Sequence, residues 1–332
     1  MYNIMLMAKK LGEDPKHGVA TIRCFGKFWG LFADYYVFET TLKEAPEEEE
    51  ENLGGLRIYL QFTDSLNSYI EEGCVPPEKG SGANAYSYFV CSYLGGPFTK
   101  LPDVRPEQIK AARNLKRFLV GRLDSSVSNY PPFPGKEANF LRAQIARISS
   151  TTVLCPSGYF NVSEEGEIEK NEEFQSLESR EMGNATNWSH RHPHLKRQGR
   201  CQPHVREPPE GEEEEFVPTE EEQEQGPEPL ATLENDAEVN AGPAWTPLYS
   251  SHNENVKYQV ACVRSNLWPG ACAVWGGGRF ANIYVGWGIK NLPLTPLPPP
   301  PINPEFDLAL MESTELPPKP AEEEPAEGEE EA

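Results

Sequence analysis

Tyr130-Pro-Pro-Phe-Pro-Gly-Lys-Glu-Ala-Asn-Phe-Leu-Arg-Ala-Gln-Ile-Ala-Arg-Ile148 is the stretch on which the reading of this chain turns. Tyr130–Gly135 has too few free backbone donors for a central strand, so it is expected to wrap over a surface. Lys136–Ile148 places Leu141, Ile145 and Ile148 on one side of a helix. A remote companion runs Val263-Arg-Ser-Asn-Leu-Trp-Pro-Gly-Ala271 and is followed by Asn282-Ile-Tyr-Val-Gly-Trp-Gly288. Neither block has the form of a catalytic motif. Both are dense in aromatic, proline and glycine residues, the composition of rigid packed surface, and a preordered ledge of this kind loses little entropy on docking. Tyr130, Phe133, Phe140, Arg142, Trp268, Tyr284 and Trp287 are therefore candidate interface residues. For Trp268-Pro-Gly270 and Trp287-Gly288, packing of a tryptophan in the core against a tight turn is the competing reading.

Working outward, strand-like runs fall at Ala20–Phe25, Tyr35–Thr41, Leu56–Phe62 and Ala85–Cys91, and the first two are expected to pair as a hairpin. A short helix is expected over Asn3–Leu11. A second helix starting at Asp103-Val-Arg-Pro should run to about Val120, with Ile109, Ala112, Leu115 and Leu119 on one face. Tyr258–Val263, Ala271–Trp275 and Ile283–Trp287 read as three further strands. With connections that are not regularly βαβ, the fold class is α+β. The expected layout is an N-terminal ordered segment (1–43), an acidic loop (44–55), a central core (56–163), an acidic proline-rich linker (164–244), a C-terminal core segment (245–304) ending in polyproline, and an acidic disordered tail (305–332).

The net charge of −22 conceals a segregation. Residues 44–51, 164–181, 205–242 and 305–332 hold 39 of the 52 carboxylates against only four basic residues, Lys170, Arg180, Arg206 and Lys319. The remainder has 13 acidic and 26 basic residues, so a basic body carries acidic arms. Such runs bury too little apolar surface to offset the entropy of ordering. They serve either as solubilising loops or as charged arms that screen the body or repel an acidic partner, a field that acts within about 8 Å at physiological salt.

No hydrophobic stretch reaches the roughly 18 residues of a membrane span, and Lys9-Lys10 follow rather than precede the apolar start, the wrong order for a secretory signal. Seven cysteines form an odd, irregular set expected to be free thiols. His190, His192, His194, Cys201 and His204 are the one metal-like cluster, but they alternate with Arg191, Lys196, Arg197 and Arg200, and a basic contact segment or linker is the preferred reading. Gly276-Gly-Gly-Arg279 lacks the Gly-Lys-Ser/Thr ending of a phosphate loop and reads as a hairpin turn. No Gly-x-Ser-x-Gly elbow is present. The basic stripe Lys110, Arg113, Lys116, Arg117 and Arg122 is a solvated face or a contact for acidic protein, since clustered carboxylates in the same chain would compete with nucleic acid. No catalytic site, cofactor, metal, small-molecule substrate, nucleic acid or membrane partner is expected.

The two leading blocks, with Phe25-Gly-Lys-Phe-Trp-Gly30, Ala33-Asp-Tyr-Tyr-Val37 and Gly121-Arg-Leu-Asp124, resemble the radial spoke head proteins of the 4/6 family in the family's order. The resemblance implies a non-enzymatic structural subunit of the axoneme in motile cilia and flagella. It implies pairing with a second copy or a paralogue, assembly with other spoke head subunits, contact with central pair projections, and a role in regulating dynein-driven motility. Relatives carry a long helical segment ahead of this pattern, so the chain is read as N-terminally short or divergent. The alternative class is an acidic scaffold or chaperone for basic client proteins, which acidic arms alone would fit equally well.

Overall fold

Two antiparallel meanders, drawn from opposite ends of the chain, are fused edge to edge into a single sheet. The computed structural model describes residues 2–43, 75–130, 132–163, 168–206, 218–250 and 258–292. Helix α1 (Tyr2–Glu13) precedes β1 (Val19–Phe28), β2 (Tyr35–Leu42), β3 (Ser87–Cys91) and β4 (Thr99–Lys100). Helices α2 (Pro106–Arg113) and α3 (Glu137–Thr152) follow. Next come four short strands, β5 (Leu154–Pro156), β6 (Phe160–Val162), β7 (Ile168–Lys170) and β8 (Trp188–His190). The second meander is β9 (Trp245–Tyr249), β10 (Val260–Ser265), β11 (Ala271–Gly276) and β12 (Arg279–Gly286). The large sheet has the order β4-β3-β2-β1-β12-β11-β10-β9, while β5 pairs with β8 and β6 with β7. The fold class is α+β, as the sequence indicates.

Every neighbouring pair in the large sheet is antiparallel except β1 and β12, which run parallel through Gly26↔Tyr284, Lys27↔Val285 and Phe28↔Gly286. Gly26 makes this seam possible. Its φ is +149° beside a bulge in β1, and a Cβ there would stand 1.8 Å from the Tyr284 carbonyl oxygen. Side chains then close over the junction: Phe28 lies 4.8 Å from Tyr284 and 6.1 Å from Phe25, ring centre to ring centre.

Alternation along the strands sends side chains to two faces. Val37, Tyr88 and Val90 point into the principal core with Ile109 and Ala112 of α2 and Phe140, Leu141, Ile145 and Ile148 of α3. Phe38, Phe89 and Cys91 point the other way, onto Met7 and Leu11 of α1. Helix α3 is buried nearly all round, not on one stripe, because it bridges both meanders; Trp268 and Ala271 from the C-terminal half pack in the same cluster as its apolar residues. A third cluster, Leu154, Met182, Trp188, Leu233, Trp245, Val263 and Trp275, closes one face of the C-terminal meander.

Three expectations change. The helix expected to reach Val120 ends at Arg113, although Leu115 and Leu119 are buried as the stripe required. The disorder expected across 164–244 does not hold for its described parts. Met182, Trp188, Leu233 and Val239 are buried there, and the Trp188 indole donates to the Met182 carbonyl at 2.9 Å. A few large apolar residues suffice to dock a segment whose average composition is acidic. The wrapping surface read for Tyr130–Gly135 is divided, since Phe133 is buried against Phe140 at 5.5 Å while Tyr130 is 84% exposed. Residues 44–74, with the acidic run and Leu56–Phe62, lie outside the described residues, as do 293–332 with the polyproline run and the tail.

Gly26→Ala should destabilise the chain by about 2–4 kcal/mol, because the seam must open to admit the methyl group. Urea denaturation of the full chain measures it; an unchanged midpoint would mean the seam tolerates a side chain.

Candidate interaction surface

The exposed aromatic surface grows directly from the end of the seam. Trp29, the residue after β1, donates its N–H to the Gly286 carbonyl at 2.9 Å, continuing the parallel pairing. The chain then turns, and Leu31 and Phe32 donate to the carbonyls of Leu119 and Val120 at 2.9 and 3.0 Å. These bonds bring residues 29–32, 118–122 and 287 together. Trp287 meets Trp29 at 5.4 Å and Phe118 at 4.9 Å, both edge to face. Phe32 is 78% exposed, Phe118 46% and Trp287 40%, and Leu31 is exposed beside them. The Arg122 guanidinium lies 5.9 Å from the Phe32 ring centre.

What holds this surface in shape is one carboxylate. Glu137, in the first turn of α3, is buried and accepts the backbone N–H groups of Val120 at 2.7 Å, Gly121 at 2.7 Å and Arg122 at 3.2 Å. It also accepts the Tyr35 hydroxyl at 2.6 Å, and burial beside this carboxylate pushes the Tyr35 phenol up. Charge-assisted bonds to three successive amides fix a non-helical turn, which is why α2 cannot continue to Val120. Gly121 completes it with φ +101°, where a Cβ would lie 2.5 Å from the backbone of Ala33. Gln144 of α3 donates to the Gly288 carbonyl at 2.7 Å, and Gly288 N–H donates to the Tyr284 hydroxyl at 2.7 Å, so the Trp287 segment is tied from both sides.

Of the seven candidate interface residues, Tyr130 and Trp287 are exposed, and only Trp287 joins this cluster. The other five are core residues of the chain itself. Phe133 packs on Phe140 and Tyr284 on Phe28. Trp268 lies 5.2 Å beneath the Arg147 guanidinium. Arg142 is buried, donates to the Ala83 carbonyl and to Asn84 Oδ1 at 2.7 and 3.0 Å, and sits 4.5 Å over the Tyr88 ring. Burial brings its guanidinium below the usual range. Aromatic and proline-rich composition marks rigidity, and rigidity is shared by core and surface. Glu137 went unnoticed in the sequence; an acid opening a helix just past a glycine-proline ledge is its one local signal.

The histidine block disperses rather than converging. His190 pairs with Asp236 at 2.9 Å, and Asp236 also accepts the Trp245 indole N–H. His192 bonds the Pro193 carbonyl, and burial lowers its imidazole, as it does that of His194. Cys201 is buried, and its N–H and that of Gln202 reach the Glu78 carboxylate at 2.9–3.2 Å. Among the described residues no group of three or more ligating side chains could hold a metal ion. The basic stripe is largely spent inside the fold: Lys110 pairs with Glu221 at 2.8 Å, and Arg113 donates to the carbonyls of Leu195, Lys196 and Arg197. Lys116 and Arg117 donate to the carbonyls of Leu292 and Ser128.

A family model described as radial spokehead-like protein matches residues 1–324. The chain belongs to that family. It is 49% identical over 317 residues to flagellar radial spoke protein 4 of Chlamydomonas reinhardtii, covering 95% of this chain and 68% of that one. Against radial spoke head protein 6 homolog A of Mus musculus it is 39% identical over 335 residues, covering 88% and 47%. Radial spoke head protein 4 homolog A of Homo sapiens is 37% identical over 342 residues, with 92% and 47% covered. The chain thus spans 68% of the algal relative and 47% of each of these mammalian ones. The sequence blocks that resemble the spokehead family are those that build the seam and its surface. Phe25–Gly30 supplies Gly26 and Trp29, Gly121–Asp124 the turn over Glu137, and Asn282–Gly288 supplies Tyr284 and Trp287.

Glu137→Gln should cost about 2–4 kcal/mol, since one amide oxygen cannot serve three backbone donors, whereas Tyr35→Phe removes one hydroxyl and should cost about 1 kcal/mol. Thermal unfolding of both variants gives the ranking; equal effects would contradict a central role for the carboxylate.

Proposed function

We propose that the chain is a non-enzymatic structural subunit of the radial spoke head in the axoneme of motile cilia or flagella. There it assembles with other spoke head subunits and helps regulate dynein-driven motility. The observation that carries this reading is the cluster of half-buried Trp29 with exposed Phe32, Phe118 and Trp287 in a chain of the spokehead family. Large aromatic side chains dominate the energetics of protein interfaces, and here they stand on backbone already fixed by the seam and by Glu137, so little ordering entropy remains to be lost on docking. Arg122 at the edge of the cluster favours a partner that presents carboxylates around an apolar centre. Pairing with a paralogue and contact with central pair projections fit the same reading. No observation favours the acidic chaperone, because the described acidic residues include ones used inside the fold, such as Glu78, Glu137 and Glu222.

The test is a Trp287→Ala, Phe118→Ala double variant expressed with an affinity tag in ciliated cells. Both side chains are substantially exposed, so the melting temperature should fall little, while recovery of other radial spoke components should fall about tenfold or more. Tyr130→Ser, outside the cluster, should recover them as the unaltered chain does. Full recovery by the double variant would contradict assembly through this surface.

A further inference from the structure

Two neighbouring cations, Arg147 and Lys290, feel each other's charge and make no ion pair with a described carboxylate. Beside α2 and α3 lies a cavity of about 390 Å³, a size that ordinary small-molecule sites share. Its ionisable lining is Arg113, Lys116, Arg147, His194 and Lys290, and among the described residues no carboxylate lines it. It adjoins a larger cavity of about 720 Å³, with Ser150, Thr151, His194, Lys290 and Leu292 common to both walls.

The charges of Glu224 and Glu221 act on Arg113, and the wall of the larger cavity adds Glu228, Asp236 and Glu238, but none of these is paired with Lys290 or Arg147. Glu221 holds Lys110, and Glu224 accepts the backbone N–H of Arg197 at 2.6 Å. Arg147 is buried, gives Nη1 to the Ala112 carbonyl and to Gln144 Oε1 at 2.7 Å each, and lies over Trp268. Lys290 is half-buried and makes no hydrogen bond or ion pair with a described residue. Burial, then the charges of Arg147 and Arg113, push the Lys290 ammonium down. Burial and Arg113 together bring Arg147 down to about 10. Charges withdrawn from water without a counter-charge are costly, and proteins ordinarily pair them.

We propose that this cavity is a binding site for a multivalent oxyanion, held by Lys290 and Arg147 and supported by the field of Arg113 and Lys116. Serine and threonine hydroxyls at 150 and 151 and the Trp268 ring complete the wall. A free polyphosphate carries this chemistry.

The experiment is calorimetric titration of the full-length chain with inorganic tripolyphosphate at low and at physiological salt. It is repeated on Lys290→Ala and Lys290→Arg. Saturable one-to-one binding is expected, weakened about tenfold or more by Lys290→Ala and retained by Lys290→Arg, since loss of a charged partner costs at least that much. Lys290→Ala should leave thermal unfolding unchanged without ligand or raise its midpoint slightly, because repulsion is relieved. Equal affinity of the parent and Lys290→Ala, or no saturable binding by the parent, would overturn the proposal.

Discussion

The close approach of Gly26 to the Tyr284 carbonyl governs this molecule. Two meanders made by sequence-distant halves of the chain become one eight-stranded sheet only if β1 and β12 can lie side by side in parallel. Parallel strands need a long connection, and here nearly everything between the two meanders serves as that connection. Helices α2 and α3 are not an added layer. They cover the junction, and α3 is buried nearly all round because it has a meander on either flank.

From that constraint the exposed surface follows with few further choices. Once β1 and β12 are in register, Trp29 and Trp287 emerge together at the same end of the seam, each one residue beyond its strand. Phe118 reaches them because Glu137 holds the following three amides in a fixed turn. A buried carboxylate surrounded by donors is stabilising only when its hydrogen bonds are made, and it penalises other loop arrangements. Polar contacts inside the fold thereby give the apolar contacts outside it their rigidity, which suits a subunit of a permanent assembly.

The local pieces were legible and the long-range ones were not. The hairpin of β1 and β2, the strand at Ser87–Cys91 and the last three strands stand out as β-rich runs punctuated by turns, and period-two alternation survives without its partners. The seam has no local signature, because Gly26 looks like any glycine in an aromatic loop until Tyr284 is beside it. The overextended second helix shows the same limit: Leu115 and Leu119 are buried whether or not the helix continues, and the partners that hold residues 119–122 out of a helix, Leu31, Phe32 and Glu137, are remote in sequence. Five candidate interface residues proved to be core for a related reason, since proline, glycine and aromatic density reports stiffness without reporting which side faces water. The histidine and arginine block was misjudged by its average, because one buried tryptophan and the Glu78 bonds to Cys201 and Gln202 dock it.

If the surface at the end of the seam is where the chain meets other subunits, assembly must withdraw it from solvent. Hydroxyl-radical footprinting of the free chain and of the chain within isolated radial spokes, read by mass spectrometry, addresses it most directly. Oxidation of Phe32, Phe118 and Trp287 should fall several-fold on assembly, as it does when aromatic anchors are desolvated, while that of Tyr130 should stay as it was. Equal labelling of Phe32, Phe118 and Trp287 in the free and assembled states would contradict it.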